Sequence, residues 1–262
     1  MIECRNISLA RNGKVILKNV DFKAHKGGIT VLMGKNGSGK TSLLRCISGA
    51  YAGYGGEILY GDTKLTGLSA VKRSRIISVM PQVLPQPAVT VAELVAFGRR
   101  PYTGYGGKLS SGDKEKVLLS MESAGILPHK NDMVCNLSGG ERQIAFFAML
   151  LAQDTPVVLL DEPTANLDAE YRRRVFGFMK AMRDGGKTVI ATLHSPEDAV
   201  ELADRIWVMR DGGMDFSGTP EEFIESGQPE RNFSLRPLKV FSPECGTFTV
   251  FRPYDDTDYI SR

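Results

Sequence analysis

The segment Gly34-Lys35-Asn36-Gly37-Ser38-Gly39-Lys40-Thr41 constrains this chain more than any other. It follows Gly28-Ile29-Thr30-Val31-Leu32-Met33, an apolar, β-branched run that predicts a buried strand. It precedes Ser42-Leu43-Leu44-Arg45-Cys46-Ile47-Ser48, whose pattern predicts a helix. Strand, glycine loop and helix in that order form the setting that the pattern G-x-x-x-x-G-K-[ST] needs, so an α/β core with a phosphate-binding loop (P-loop) is expected. Glycines let the backbone approach phosphate oxygens and turn N–H groups toward them. The helix N-terminus adds partial positive charge. Gly34 to Ser42 are therefore candidate nucleotide-binding residues. Lys40 is expected to reach the outer phosphates, and the Thr41 hydroxyl to ligate Mg²⁺.

A second candidate site begins at the strand-like run Val157-Val158-Leu159-Leu160, which ends in Asp161-Glu162. Ligands of parallel sheets lie at the carboxyl ends of strands, which places both acids beside the P-loop. Asp161 is expected in the Mg²⁺ shell and Glu162 beside the attacking water, as orienting group or general base. His194 ends another apolar strand, Thr188–Leu193, where an imidazole can hydrogen-bond a terminal phosphate. Gln82 follows the strand Ile76–Met80, and its amide can touch Mg²⁺ or water. His25 and His129 have no such setting and read as surface residues.

Leu137-Ser138-Gly139-Gly140-Glu141-Arg142-Gln143 opens a helix that Ser138 can cap. Gly139 and Gly140 leave the first N–H groups bare of side chains. Two readings stand on these residues alone: a plain helix cap, or a second anion cradle. The chain has one P-loop lysine and one Asp-Glu strand end, so a second cradle would complete a site on another copy.

The rest of the chain is ordinary for a folded protein. Its 262 residues allow one large domain or a domain with a subdomain, at 42% hydrophobic and 24% charged. A net charge of +3 is too small to argue for nucleic acid. Cys4, Cys46, Cys135 and Cys245 form no metal-like pair and read as buried thiols of a reducing compartment. No apolar run approaches the ~18 residues that span a bilayer, and the start lacks a signal-peptide layout, so a cytoplasmic location is expected.

Two strands separated by a turn at Asn12-Gly13 fill residues 2–24. Further strands are expected at Glu57–Tyr60, Ile76–Met80, Pro156–Leu160, Thr188–Leu193 and Arg205–Met209. Between about 82 and 153 the pattern is helical, at Val91–Arg100, Gly112–Ala124 and Ser138–Ala152. A helical block thus interrupts an α/β core, with Pro81–Pro87 as its hinge. After Gly227 prolines punctuate short β-prone runs such as Gly246–Phe251. That tail can pack on its own domain, meet a second copy or regulate. Arg172-Arg173-Arg174 and Lys72, Arg73 and Arg75 read as solvated helix faces.

The P-loop, Gln82, the Leu137–Gln143 signature, Asp161-Glu162, Asn166-Leu167-Asp168 and His194 occur in the order of an ATP-binding-cassette (ABC) ATPase subunit, which the chain resembles over about residues 1–225. The resemblance implies a P-loop NTPase fold with a RecA-like core, an N-terminal antiparallel β-subdomain and an inserted helical subdomain. It divides the chain into a nucleotide-binding domain at 1–227, with the helical subdomain at about 83–153, and an extension at 228–262. It implies ATP and Mg²⁺ as cofactors, with Thr41, Gln82 and Asp161 at the metal and Glu162, His194 and Gln82 as catalytic groups. It implies a homodimer in which Ser138, Gly139, Gly140 and Glu141 act in trans and Asp168 lies at the seam. Membrane permeases, an extracytoplasmic binding protein, no nucleic acid and a place on the cytoplasmic face of the membrane complete the picture.

Thr90–Tyr102 and Phe147–Pro156 resemble the corresponding segments of importers of iron chelates and cobalamin. An iron-siderophore or haem system is expected, with cobalamin or another metal chelate as the alternative and a non-transport cassette as a more distant one. Tyr102 and Tyr105 are placed to meet a permease helix. Three positions depart from the family pattern. Leu9–Gly13 lacks the aromatic that stacks on adenine, leaving Arg11 as a stacking candidate. Ser195 follows the histidine where Asp is usual, and the loop after the acid pair begins with Asn166 instead of Ser.

Overall fold

The computed structural model describes residues 1–104, 107–165, 167–242 and 246–253. Expectations for Tyr105, Asn166, Cys245 and the last residues lie outside the described residues. The chain opens with β1 (Ile2–Arg11) and β2 (Lys14–Ala24). Asn12 and Gly13 join them with φ of 50° and 73°. Two left-handed residues give the mirror-image turn whose twist suits a hairpin, which is why Asn-Gly was legible as one. Next come β3 (Ile29–Met33), α1 (Lys40–Ser48), β4 (Gly55–Tyr60), β5 (Thr63–Lys64), α2 (Ala70–Ser74) and β6 (Ile77–Met80). The inserted helices are α3 (Val91–Phe97), α4 (Ser111–Ala124) and α5 (Gly139–Gln153). The core resumes with β7 (Val157–Asp161), α6 (Ala169–Asp184), β8 (Thr188–Thr192), α7 (Pro196–Leu202), β9 (Arg205–Arg210) and β10 (Gly213–Gly218). The chain ends in α8 (Pro220–Glu225), α9 (Gln228–Phe233), β11 (Leu235–Ser242) and β12 (Gly246–Pro253).

The main sheet has the order β10-β9-β3-β8-β7-β6, parallel except for the antiparallel edge strand β10. Every residue of β3, β7 and β8 is buried, as expected of parallel strands covered on both faces. Their alternation feeds two cores. Ile29, Val31, Val158 and Leu160 meet Phe147 of α5 and Phe176 of α6. Leu32, Val157 and Leu159 meet Leu43 and Ile47 of α1 together with Leu17 and Phe22 of the N-terminal sheet. That smaller sheet, β2-β1-β4-β5, is antiparallel and lies over α1. Both carboxyl-end acids and the P-loop are positioned by this packing.

Each inserted helix starts with a reciprocal capping box: Thr90 with Glu93, Ser110 with Asp113, and Ser138 with Glu141. Each box satisfies two orphan N–H groups, an effect of about 1 kcal/mol per helix start. The helix expected over Val91–Arg100 ends at Phe97. The following turn lets Arg99 donate to Asp113 Oδ1 at 2.9 Å and to the Ala152 carbonyl at 2.7 Å. Tyr102 donates to the Gln153 carbonyl at 2.8 Å, with the Arg99 guanidinium 4.1 Å over its ring. Its ring and hydroxyl are thus engaged within the chain, which fixes the side chain while leaving part of it at the surface.

The basic helix faces are largely solvated, as expected, and several of their arginines also reach long-range partners. Arg172 pairs with buried Asp198 at 3.1 Å, and Arg174 donates to the Ala124 carbonyl at 3.1 Å. Arg73 donates to the Leu65 carbonyl and Arg75 to the Pro101 carbonyl. These guanidinium groups stitch elements together because five donors on a long stem can reach stray carbonyls. Cys4 and Cys46 are buried, as expected, but Cys135 is exposed. In the C-terminal extension, Phe251 of β12 enters the core that holds Ala199 and Leu202 of α7. The tail therefore packs on its own chain.

Asp154 ends α5 in the left-handed region, φ 54°, and pairs with Lys187 at 2.6 Å and Lys116 at 2.9 Å. Burial alone would raise its carboxyl, but Lys187 and Lys116 outweigh that and hold it below the usual range. A depressed acid stabilises the fold above its unfolded value, near pH 4, and loses that contribution as pH falls through the folded value. Asp154 is about half exposed, so screening limits the effect to about 1 kcal/mol or less. Asp154→Asn is predicted to lower the melting temperature by roughly 1–4 °C at pH 7 and by less near pH 3, below the unfolded value. An equal loss at both pH values would assign the effect to the cap and not the charge.

Candidate active site

The P-loop occupies the turn between β3 and α1. Gly34, Gly37 and Gly39 have φ of 139°, 81° and 110°, values that a side chain disfavours. A Cβ on Gly39 would stand 2.8 Å from Leu17 Cδ2, so this glycine also lets the loop lie on the N-terminal sheet. Gly37 has open space where a Cβ would sit and lines the cavity over the loop, so its φ and not crowding calls for glycine. Gly39 caps α1 without a side-chain acceptor, leaving the helix N-terminus to an external anion. Ser38 Oγ is buried and has no protein partner among the described residues. Lys40 is 5% exposed and donates to the Gly34 and Lys35 carbonyls at 2.7 and 3.2 Å. Burial lowers its pKa, opposed by the charges of Glu162 and Asp161. An ammonium has three N–H groups, so it can brace the loop and still face an anion.

A cavity of about 430 Å³ lies over this loop. Asn36, Gly37, Gly39, Lys40, Thr41 and Ser42 form one wall, Gln82, Glu162 and His194 the opposite one, and Ile16 an apolar corner. Glu162 is gripped on both oxygens. Gln82 Nε2 donates to Oε2 at 2.7 Å, and His194 Nε2 stands 2.6 Å from Oε1. Thr41 Oγ1 donates to Asp161 Oδ1 at 3.2 Å, and Thr192 Oγ1 donates to the same oxygen at 2.8 Å. The Glu162 N–H in turn donates to Thr192 Oγ1 at 2.7 Å. Strand β8 thus holds both acids through one hydroxyl. The donor set at Thr41, Asp161 and Gln82 is all oxygen when the amide turns its carbonyl inward, the chemistry that Mg²⁺ prefers.

The Leu137–Gln143 signature begins α5 elsewhere. Ser138 Oγ accepts from the Glu141 N–H at 3.3 Å and donates to Glu141 Oε2 at 2.7 Å. Those hydrogen bonds hold the Glu141 carboxyl below its usual range. Gly139 faces open space, while a Cβ on Gly140 would meet the Tyr171 ring at 2.6 Å. Gly140 is therefore required by packing as well as by any anion. Ser138, Gly139, Gly140 and Glu141 are not among the residues lining the cavity. Asp168 caps α6, accepting from the Tyr171 N–H at 2.9 Å. The same helix thus supplies the Asp168 cap and the ring that covers Gly140.

A model of the ABC transporter family matches residues 17–165, more than half of the chain. The chain is 31% identical to the ferric enterobactin transport ATP-binding protein FepC of Escherichia coli, over 92% of this chain and 90% of that one. It is 32% identical to the hemin import ATP-binding protein HmuV of Pseudomonas fluorescens, over 94% of this chain and 97% of that one. The chain belongs to the ABC transporter family. Among solved structures, a dimeric bacterial ABC transporter cassette superposes with a TM-score of 0.73 at 26% identity, covering 84% of this chain and 99% of that one.

In this ABC cassette, Gln82, Glu162, His194, Thr41 and most of the P-loop converge on one cavity, with Asp161 behind Thr41 through their hydrogen bond. Ser138, Gly139, Gly140, Glu141 and Asp168 do not line it, while Gln143 at the end of the signature donates to the Pro163 carbonyl, next to Glu162. Arg11 does not line the cavity. Its guanidinium lies 4.0 Å over the Tyr51 ring, whose hydroxyl accepts from Arg45 at 2.7 Å. An aromatic therefore stands beside Arg11 after all, contributed from beyond α1. Ile16 is the residue of the hairpin that reaches the cavity. His129, read as a plain surface residue, is only half-buried at its ring and pairs with Asp132 at 2.8 Å, with Glu141 at 3.7 Å. Ser195 caps α7 by accepting from the Asp198 N–H at 3.0 Å. That cap accounts for Ser where Asp is usual, since either side chain can serve. Thr192 was missed because it reads as one more β-branched strand residue; a hydroxyl two positions before His194 was the available signal.

Proposed function

We propose that this cassette is the ATP-binding and ATP-hydrolysing subunit of an importer that takes up an iron chelate, a siderophore or haem, through membrane permeases. The observation that carries the hydrolytic part is the Glu162 carboxylate, fixed between Gln82 and His194 across a cavity from the P-loop. The P-loop N–H groups and Lys40 would hold the phosphates, and Thr41, Asp161 and Gln82 would hold Mg²⁺, which neutralises charge on the phosphates. Ser38 Oγ, buried without a protein partner among the described residues, and the open side of Gly37 suit a phosphate ligand. Among the described residues no group of three or more His, Cys, Asp or Glu gathers to form a metal cage. That suits Mg²⁺ shared between a few oxygens and the nucleotide. Glu162 orients or deprotonates the attacking water, and His194 positions the carboxylate and the terminal phosphate.

The separation of the signature from the cavity supports a homodimer in which each copy's Ser138, Gly139, Gly140 and Glu141 complete the other's site, with Asp168 at the seam. The iron-chelate assignment rests on the relatives for enterobactin and hemin. A groove of about 380 Å³ between α2, β6 and the end of α5, with Arg73, Val79 and Gln153 in its wall, suits a permease segment. Val79 and Val83 expose 37% and 80% of their surface there and in the following turn, which supports a covering partner. Among the described residues no helix is long and apolar enough to cross a membrane, so the cassette would reach the cytoplasmic face through its permeases. An extracytoplasmic binding protein would deliver the chelate.

Two experiments test this reading. The first mixes Lys40→Ala and Ser138→Arg chains, each expected to be inactive alone. A mixed dimer pairs an intact P-loop with an intact signature, so activity of about a tenth to a quarter of wild type should return. No recovery in a mixture that dimerises would reject the shared site. The second measures uptake of radiolabelled ferric siderophore and haem by cells lacking the chain. Normal uptake of both, with loss of cobalamin uptake, would move the assignment to the alternative ligand.

A further inference from the structure

We propose that Thr192 is a positioning residue that locks the hydrolytic carboxylates in register, an inference that rests on the function proposed above. Thr192 ends β8 and is fully buried. Opposite it in the parallel register stands Asp161. Its hydroxyl proton goes to Asp161 Oδ1 at 2.8 Å, and its oxygen accepts the Glu162 N–H at 2.7 Å. One side chain therefore bridges the acid assigned to Mg²⁺ and the backbone of the acid assigned to water. An apolar β-branched residue would suit this strand and its burial equally well. A buried hydroxyl is favourable only when its hydrogen bonds are made, and here both go to the acid pair.

Two features make the bridge consequential. Glu162 has φ of 51°, in the left-handed region that a residue with a long side chain disfavours. The Thr192 oxygen receives the N–H at that kink. Relaxation to an ordinary backbone conformation would swing the carboxylate away from Gln82 and His194. In addition, Asp161 Oδ1 accepts from two hydroxyls, Thr192 and Thr41. Thr41 is the one placed to turn toward Mg²⁺. Thr192 would then keep the carboxylate aimed while Thr41 changes partner.

Thr192→Val keeps the shape and removes both bonds, and Thr192→Ser keeps the hydroxyl. Thr192→Val should lower kcat for Mg²⁺-ATP about 10- to 100-fold, the scale of a small misplacement of a reacting group. Its KM, and its affinity for a fluorescent ATP analogue without Mg²⁺, should stay within roughly threefold of wild type. The extra rise in melting temperature that Mg²⁺ gives the ATP-bound chain should shrink in Thr192→Val and return in Thr192→Ser. Thr192→Ser should also regain kcat to within roughly threefold of wild type. A Thr192→Val chain with wild-type kcat overturns the inference, as does a well-folded Thr192→Ser that is as slow as Thr192→Val. Should Thr192→Val fail to fold, Thr192→Ser against Thr192→Ala decides: Ser fast and Ala slow supports the bridge, and equal rates overturn it. A wild-type chain that neither binds nor hydrolyses ATP removes the proposed function itself. Wild-type turnover that is insensitive to position 192 removes only this inference.

Discussion

Glu162→Gln is expected to bind ATP as tightly as the wild type while its turnover falls at least about 100-fold, the usual contribution of a positioned general base. The amide has nearly the same shape, so it can stay between Gln82 Nε2 and His194 Nε2, 2.7 and 2.6 Å from the carboxylate oxygens in the parent chain. It cannot accept the proton of the attacking water. Binding and hydrolysis should therefore separate, and ATP should accumulate a stable dimer that the wild type forms only in passing. The measurement is phosphate release beside the oligomeric state of the same samples. A Glu162→Gln chain with full turnover would strip Glu162 of its assigned role, whatever the state of the dimer.

Lys40→Ala should fail one step earlier, at nucleotide binding. Lys40 is 5% exposed; its ammonium donates to the loop carbonyls of Gly34 and Lys35 and feels the charges of Glu162 and Asp161. Removing it deletes the charge proposed to face the phosphates and the one that offsets Asp161 and Glu162. Hydrogen bonds to charged groups contribute about 1.5–3 kcal/mol each, so affinity should fall at least about 10- to 100-fold. Titration with a fluorescent ATP analogue reads this directly, and melting curves separate lost binding from lost fold. Affinity within a factor of two of wild type, in a chain that melts normally, would refute the P-loop assignment.

The two substitutions together locate the chemistry. Lys40 belongs to a contiguous motif and Glu162 to a strand end, and both were readable because local residues dictate the local geometry. Gly34, Gly37 and Gly39 supply the loop's left-handed turns. The apolar runs on either side become β3 and α1 within a residue or two. The same holds for the hairpin at Asn12-Gly13 and for the capping box at Ser138. What local rules left open, partners far along the chain decided. Arg172, on a solvated face, also pairs with buried Asp198, and Tyr102 is held by Arg99 and the Gln153 carbonyl. Arg11 was free to meet a base until Tyr51 came beneath it.

By itself, then, the sequence determined the α/β core, the P-loop, the capped signature helix and the strand ends that carry Asp161, Glu162 and His194. Short-range rules of backbone conformation, capping and apolar periodicity are enough for those, because the groups involved are neighbours in the chain. Only the tertiary structure decided that Gln82, 80 positions before Glu162, and His194, 32 positions after it, grip the same carboxylate. It also decided that Thr192 joins the two acids, that Tyr171 covers Gly140 and that Phe251 returns the tail to the core. Such contacts arise from the order of strands in the main sheet, and that order is set by how all the buried faces fit at once.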